Sequence, residues 1–97
     1  MHVITKKTLD DFSVKHPQSR VALGIWYKKM KKSSPESVNK VKRMFKGTDY
    51  IGDDRYVFNI CGNKYRIVAL IFISTQIVFI RFIGTHAEYN RINSKKI

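Results

Sequence analysis

The chain has 97 residues, 43% of them hydrophobic, and its 19 lysines and arginines against 7 aspartates and glutamates give a formal net charge of +12. This composition excludes a disordered chain and the length excludes two separate cores, so residues 1–97 are expected to form one globular domain. The positive charge favours a polyanionic partner, most commonly nucleic acid, although an acidic protein would satisfy the same charges.

The sequence lacks the usual marks of a metal, secreted or membrane protein. Cys61 is the only cysteine, so no internal disulfide can form, and no paired cysteines and histidines indicate a zinc site. The first residues lack the charged-then-apolar layout of a signal peptide. The best candidate for a membrane span, Ile67 to Ile80, has only 14 residues and is bracketed by Arg66 and Arg81. We therefore expect a cytoplasmic protein without metal, cofactor or membrane contact.

The first half of the chain predicts one short strand and two helices before residue 33. The strand is HVIT, and the first helix, TLDDFSVKH, stops before Pro17 because the residue preceding a proline disfavours helical backbone. A second helix begins near Pro17, a favoured residue of the first helical turn. Its apolar residues recur at four-residue spacing, in the rows Val21/Ile25 and Ala22/Trp26/Met30.

A third helix has the clearest start signal. Ser34 is the expected cap, Pro35 the first helical residue and Glu36 part of the first turn. Gly47 is expected to end the helix. Its apolar face consists of Val38, Val41 and Phe45. The aromatic and methionine residues of all three helices are expected in the core, because they lie on the apolar stripes.

After Gly47 the pattern changes to strands separated by turns. The strands are TDYI, RYVFNI, KYRIVALIFI and QIVFIRFI, and the turns are GDD, Gly62-Asn63 and Ser74-Thr75. Consecutive strands of this kind form an antiparallel meander. The predicted fold class is therefore α+β, with the N-terminal helices packed on one face of a mainly antiparallel sheet.

The last hairpin sets the expected neighbours of two arginines. If Ser74-Thr75 is a two-residue loop, Val68 lies opposite Arg81 and Arg66 lies opposite Ile83. Arg66 and Arg81 are then diagonal neighbours on one sheet face. A bulge would break this arrangement, since a slip of one residue moves a side chain to the other face.

The preceding hairpin adds polar residues to the same face. Counting around Gly62-Asn63 places Asn59 opposite Arg66, so that Asn59, Lys64, Arg66 and Arg81 share its polar end. The opposite face is apolar and is expected to pack on the helices. Its residues are Tyr56, Phe58, Ile60, Tyr65, Ile67, Ala69, Ile71, Val78, Ile80 and Phe82.

Three cations that converge without a carboxylate repel one another unless water or an anion offsets their charge. A phosphate group would do so. Alternatively, these side chains extend into solvent or pair with Asp53, Asp54 or Glu88.

The segment THAE after the last strand predicts a capped helix. Thr85 followed three residues later by Glu88 is a capping-box pattern, so a short helix or turn is expected to open here. His86 would then lie at a helix N-terminus, which disfavours a protonated imidazole, and Tyr89 would lie on roughly the same side. The alternatives are a surface histidine and a tyrosine that only packs.

These residues match one reaction type, the cleavage of RNA by its own 2′-hydroxyl. That reaction needs a base for the 2′-hydroxyl, an acid for the leaving 5′-oxygen and cations on the intermediate. His86, Tyr89, Lys64, Arg66 and Arg81 supply these types without a metal. The carboxylates occur singly or as an adjacent, divergent pair, which disfavours a two-metal nuclease.

The stretches YVFNICGNKYRIVALIF and IRFIGTHAEYN closely resemble HigB-type toxins of bacterial toxin-antitoxin systems, relatives of the RelE toxins. The resemblance extends over most of the chain, including HVITKKTL. It implies a RelE-like, microbial-ribonuclease-like fold and an mRNA endonuclease that acts in the ribosomal decoding site. It also implies neutralisation by a cognate HigA-type antitoxin with a helix-turn-helix domain, through which the complex would reach DNA only indirectly.

The resemblance carries over to particular residues. Arg66 matches the arginine of the family's YR strand, Arg81 that of IR, and His86 and Tyr89 those of TH.EY. Lys64 lies beside a turn, at a position whose residue type varies among toxins of this group.

The working hypothesis assigns His86 as base, Arg66 and Arg81 as stabilisers of the phosphorane-like state, and Tyr89 or Lys64 as the group that assists the leaving oxygen. RNA contacts are expected from Asn59, Asn63, Lys64, Arg66 and Arg81. Two other functions remain open at this stage: a non-catalytic RNA- or ribosome-binding module, and a structural subunit held by an acidic protein.

Overall fold

The computed structural model describes residues 1–97 and contains one five-stranded sheet. Its strands are β1 (His2–Ile4), β2 (Asp49–Gly52), β3 (Arg55–Ile60), β4 (Tyr65–Phe72) and β5 (Ile77–Thr85). Across the sheet their order is β1-β5-β4-β3-β2, with β2 to β5 antiparallel and β1 parallel to β5. The predicted meander and the mainly antiparallel sheet are confirmed.

The helices lie at the two ends of the sequence. They are α1 (Lys6–Lys15), α2 (Arg20–Lys32), α3 (Val38–Met44) and α4 (His86–Asn90), with a short 3-10 turn at Pro17–Ser19. The first two are present as predicted, and the first ends before Pro17. The regular α-helix of the second begins at Arg20, after the 3-10 turn, and not at Pro17. No helix combines the length and the apolar character that crossing a bilayer requires.

The third helix begins later than predicted. Ser37, not Ser34, is its cap, and the Ser37 hydroxyl accepts a hydrogen bond from the Lys40 N–H at 3.2 Å. Pro35 precedes the helix, and its carbonyl accepts a hydrogen bond from the Gln76 side chain at 2.8 Å. This contact with a distant turn holds Pro35 outside the helix, so the second available serine takes the capping position.

The hydrophobic core lies between the N-terminal helices and one face of the sheet. Trp26 and Met30 on α2 are 2% and 0% exposed, as predicted for the aromatic and methionine residues. Val21 and Ile25 instead face solvent, with 75% and 62% exposure. Of the two apolar rows in α2, only the one containing Trp26 packs on the sheet.

A β-bulge in β5 changes the predicted register of the last hairpin. Near the turn the pairs are as counted from the sequence, up to Ala69 opposite Ile80. Val68 then lies opposite Phe82, so Arg81 is the extra, unpaired residue of the bulge. The predicted pairs Val68–Arg81 and Arg66–Ile83 are therefore wrong.

The bulge also exchanges two side chains between the faces of the sheet. Beyond it, Arg66 lies opposite Gly84, and Ile83 rather than Phe82 packs against the core. Phe82 joins the face that the N-terminal helices do not cover. The other hairpin has the predicted register, with Asn59 opposite Arg66.

Tyr56 gives the core a pH dependence that can be measured. Burial raises the pKa of its phenol from the ordinary 10.0 to about 12, with smaller contributions from the charges of Tyr50 and Asp54. Because the folded-state pKa lies above the unfolded value, this group's contribution to stability is complete below pH 10.0 and is lost as the pH rises through about 12.

We expect Tyr56→Phe to remove this alkaline loss of stability. Between these two pH values the unfolding free energy of the wild type should fall faster than that of the variant, by up to about 1.4 kcal/mol per pH unit. Urea unfolding at several alkaline pH values measures both slopes. Tyr27→Phe, which removes a partly buried phenol, is the control, and equal slopes for the two variants would contradict the prediction.

Candidate functional site

The candidate site lies at the end of the uncovered sheet face, where β5 turns into α4. Gly84 lies opposite Arg66 and is buried beneath its neighbours. A Cβ atom at this position would lie 2.5 Å from Phe82 Cζ and 3.1 Å from Glu88 Oε1. Glycine therefore lets the strand pass under the Phe82 ring and turn directly into the helix.

A reciprocal cap fixes the start of α4. The Thr85 hydroxyl accepts a hydrogen bond from the Glu88 N–H at 3.2 Å, and Glu88 Oε1 accepts one from the Thr85 N–H at 2.8 Å. The predicted capping box is confirmed. The hydrogen bond from the Thr85 backbone N–H lowers the pKa of the Glu88 carboxyl, because it favours the charged form. The Glu88 carboxylate therefore serves as the second partner of the capping box.

The same cap brings His86 to Arg66. The backbone N–H of His86 donates a hydrogen bond to the Lys64 carbonyl at 3.2 Å, which ties the start of α4 to the turn before β4. The Arg66 Nη2 atom lies 3.1 Å from His86 Nε2. Because a guanidinium can only donate, Nε2 is the acceptor of this hydrogen bond.

Tyr89 supports the arginine through its ring. The Arg66 Cζ atom lies 4.8 Å from the centroid of the Tyr89 ring, within the range of a cation–π contact. The Tyr89 hydroxyl donates to Ser94 Oγ at 3.3 Å. The predicted association of Arg66, His86 and Tyr89 is thus present, but the Tyr89 hydroxyl is bonded to the segment that follows α4.

The Arg66 guanidinium has no acidic partner. The only side-chain ion pairs in the protein are Lys6–Asp10 and Lys40–Glu36, whose partners are four positions apart in the sequence. The buried Nε atom of Arg66 has no hydrogen-bond partner either. The alternative that the cations of this face pair with carboxylates therefore does not apply to Arg66. An unpaired guanidinium held beside a neutral acceptor nitrogen is suited to an anion.

The side chains of the other predicted residues form no hydrogen bond with Arg66 or His86. Lys64 and Asn63 are exposed in the turn between β3 and β4, where Asn63 has a left-handed backbone with φ of 79°. Asn59 donates its side-chain N–H to the Gly47 carbonyl at 3.0 Å and holds the chain after α3. Arg81 is exposed on the bulge. Its predicted diagonal contact with Arg66 is wrong, because a bulged residue has no partner on β4 and leaves the alternation of side chains between the two sheet faces.

One neighbour of His86, Asn90, was not predicted from the sequence. The amide nitrogen Nδ2 of Asn90 lies 3.2 Å from His86 Nδ1. The spacing of four residues on a short helix was the available signal, since such residues lie on one helical face.

The donor set of the site does not resemble a metal centre. No three or more histidine, cysteine, aspartate or glutamate side chains lie together anywhere in the chain. The three main cavities have volumes of about 780, 280 and 250 Å³, and none is lined by Arg66 or His86. Only the third reaches the neighbouring Glu88. The site is an open, basic surface.

Comparison with known proteins assigns the chain to a family. The family described as HigB_toxin, the RelE-like toxic component of a toxin-antitoxin system, matches residues 19–92. The chain belongs to this family. The matched range includes β3, β4, β5 and α4, and hence every residue of the candidate site, and it confirms the HigB resemblance seen in the sequence motifs.

Individual HigB relatives match over nearly the whole chain. The "mRNA interferase toxin HigB" of Escherichia coli strain K12 is 41% identical over 93 residues, which cover 93% of this chain and 88% of that protein. The "mRNA interferase HigB" of Shigella flexneri has the same identity and coverage. That of Escherichia coli O6:H1 strain CFT073 is 27% identical over 94 residues, covering 95% and 91%.

Proposed function

We propose that this HigB-family toxin is an endoribonuclease that cleaves mRNA on the ribosome and thereby inhibits translation and growth. The names of its relatives support the class of activity. The observation that most favours it is the contact between Arg66 and His86, in which an unpaired cation and an acceptor nitrogen lie 3.1 Å apart on an exposed face.

The proposed reaction needs one base and one anion-binding cation. His86 Nε2 takes the proton of the 2′-hydroxyl, and the 2′-oxygen attacks the adjacent phosphorus. Arg66 stabilises the charge of the phosphorane-like state. The P–O5′ bond breaks, the 5′-oxygen takes a proton, and the products carry a 2′,3′-cyclic phosphate and a 5′-hydroxyl. No metal enters this sequence of steps.

The surrounding residues have supporting roles in this proposal. Lys64 is exposed beside the site and is free to protonate the leaving 5′-oxygen, whereas the Tyr89 hydroxyl would first have to leave Ser94. Arg81 and Asn63, also exposed, would contact RNA on either side. Asn59 would act mainly by holding the turn after α3, through its bond to Gly47.

The open shape of the site favours action on the ribosome. Arg66 and His86 line none of the three main cavities, so the surface around them provides little to bend RNA into the in-line geometry that the attack needs. The ribosomal decoding site would supply that orientation, and the net charge of +12 would hold the protein on the ribosomal RNA and mRNA. The proposed location is accordingly the cytoplasm, where a HigA-type antitoxin would neutralise the toxin and link it to DNA.

Mapping mRNA 5′ ends after controlled expression tests this function. We expect new 5′-hydroxyl ends inside translated reading frames, and we expect them to disappear when translation initiation is blocked. Ends that persist without translation would contradict the requirement for the ribosome. Growth arrest without new ends would instead indicate a non-catalytic ribosome-binding protein.

A further inference from the structure

The hydrogen bonds of His86 define which of its ring nitrogens carries the proton. Nε2 lies 3.1 Å from the Arg66 guanidinium, a group that has only N–H donors, and must therefore be the unprotonated nitrogen of a neutral ring. A neutral imidazole carries one proton, which is then on Nδ1. The Nδ1–H group needs an acceptor.

Asn90 is the residue in position to accept that proton. Its side-chain amide lies 3.2 Å from Nδ1, and no other side chain bonds to the ring at this nitrogen. The amide nitrogen Nδ2 is the atom that occupies this position, and with Nδ1 protonated two N–H groups would face each other. A half-turn of the amide exchanges Nδ2 and Oδ1, and the orientation with Oδ1 at Nδ1 is the one that gives the Nδ1 proton an acceptor.

We propose that Asn90 is a positioning residue that holds His86 in the Nδ1-protonated tautomer. The Nε2 lone pair is then kept on the side of Arg66, where the scissile phosphate and its 2′-hydroxyl would bind. This inference rests on the proposed role of His86 as the base. It goes beyond that role in naming the group that keeps the ring in the one tautomer able to perform it.

The structure of α4 explains why the side chain of Asn90 reaches the His86 ring. Residues four apart lie on one face of a helix, so the amide meets the ring that begins the same short helix. The capping box fixes one end of α4, and the Arg91 N–H donates to the Glu88 carbonyl at 3.1 Å at the other. The separation of the two side chains is therefore set by backbone that is hydrogen-bonded at both ends.

The choice of an amide also suits the neighbouring arginine. A carboxylate would accept the same Nδ1 proton, but its charge would compete with phosphate for Arg66 and would favour a protonated ring. The amide oxygen orients the ring and adds no charge.

Nitrogen NMR of the full-length protein tests the tautomer independently of activity. In ¹⁵N-histidine-labelled wild type, we expect His86 Nε2 to resonate as an unprotonated nitrogen and Nδ1 as a protonated one. Asn90→Ala should shift the ring towards the other tautomer or a mixture, and Asn90→Asp should restore protonation at Nδ1. A wild-type ring protonated at Nε2 alone, or a ring that Asn90→Ala leaves unchanged, would overturn the proposal.

Cleavage assays give the second readout. Asn90→Ala should lower the rate of mRNA cleavage about tenfold or more with little change in ribosome affinity, because a base in the wrong tautomer cannot accept the proton. Asn93→Ala removes an exposed asparagine whose oxygen accepts only from the Lys95 N–H, and it should cleave at the wild-type rate. Backbone amide spectra show whether each variant is folded.

The two readouts separate this proposal from the proposed function. If His86→Ala still cleaves mRNA, the assignment of the base fails even where the tautomer is as described. If the tautomer is independent of Asn90 while His86 is essential, the positioning role alone fails.

Discussion

His86→Ala is expected to abolish growth inhibition and to reduce mRNA cleavage by about 10²–10⁴-fold, the range that a positioned general base contributes. The fold should survive the change. His86 is exposed, and its side chain makes hydrogen bonds only with Arg66 and Asn90. Loss of a surface side chain of this kind alters unfolding free energy by about 0.5 kcal/mol or less.

The measurement is growth after induction, together with 5′-end mapping and a thermal unfolding curve for the purified variant. His2→Ala is the matched control, because His2 is exposed at the start of β1 and its side chain has no hydrogen-bond partner. It should remain fully toxic. Toxicity retained by a folded His86→Ala protein would show that another group takes the proton.

The order of strands β2 to β5 and one of the two hairpins that carry the site could be predicted from local pattern, whereas the parallel pairing of β1 with β5 was not predicted. Asn59 lies opposite Arg66 because the connection between their strands, Cys61 to Lys64, contains an even number of residues. A turn around Gly62-Asn63 suits this connection, since Cys61, Gly62 and Asn63 all have positive φ. Alternation along the strands then places Arg66 on the uncovered face.

The bulge at Arg81 could not be predicted, because its surroundings involve residues far away in the sequence. Thr5 follows β1, and its hydroxyl accepts from the Ile80 N–H at 3.1 Å and donates to the Ile80 carbonyl at 3.0 Å. A side chain 75 positions earlier thus bonds to the backbone just before the bulge. The register count for a hairpin uses only its two strands and the turn between them, so it cannot detect a contact with a residue outside the hairpin.

The N-cap of α3 was also predicted incorrectly because of a contact with a distant residue. Ser34 and Ser37 both satisfy the local preference for a capping residue. The Gln76 side chain distinguishes them by bonding to the Pro35 carbonyl from 41 positions away. By contrast, the capping box at Thr85 was predictable because both of its partners lie within four residues.

Arg66 is expected to show the second large effect. Its guanidinium contacts the candidate base through Nη2 and stacks on Tyr89 at 4.8 Å, so charge and shape both contribute. Arg66→Ala should lower cleavage by about 10²–10³-fold, as removal of one transition-state donor does. Arg66→Lys should recover only part of this loss, because an ammonium keeps the charge but not the planar fork or the stacking.

Arg81 provides the matched comparison on the neighbouring strand. Arg81 is exposed on the bulge and lacks the contacts with His86 and Tyr89 that orient Arg66. Alanine at either position should reduce the salt dependence of RNA binding by about one phosphate contact. Only the Arg66 variants should also lose the rate of the chemical step at saturating ribosome concentration. Full activity of Arg66→Lys would mean that charge alone suffices, and a larger chemical defect in Arg81→Ala would place the phosphate at the bulge instead.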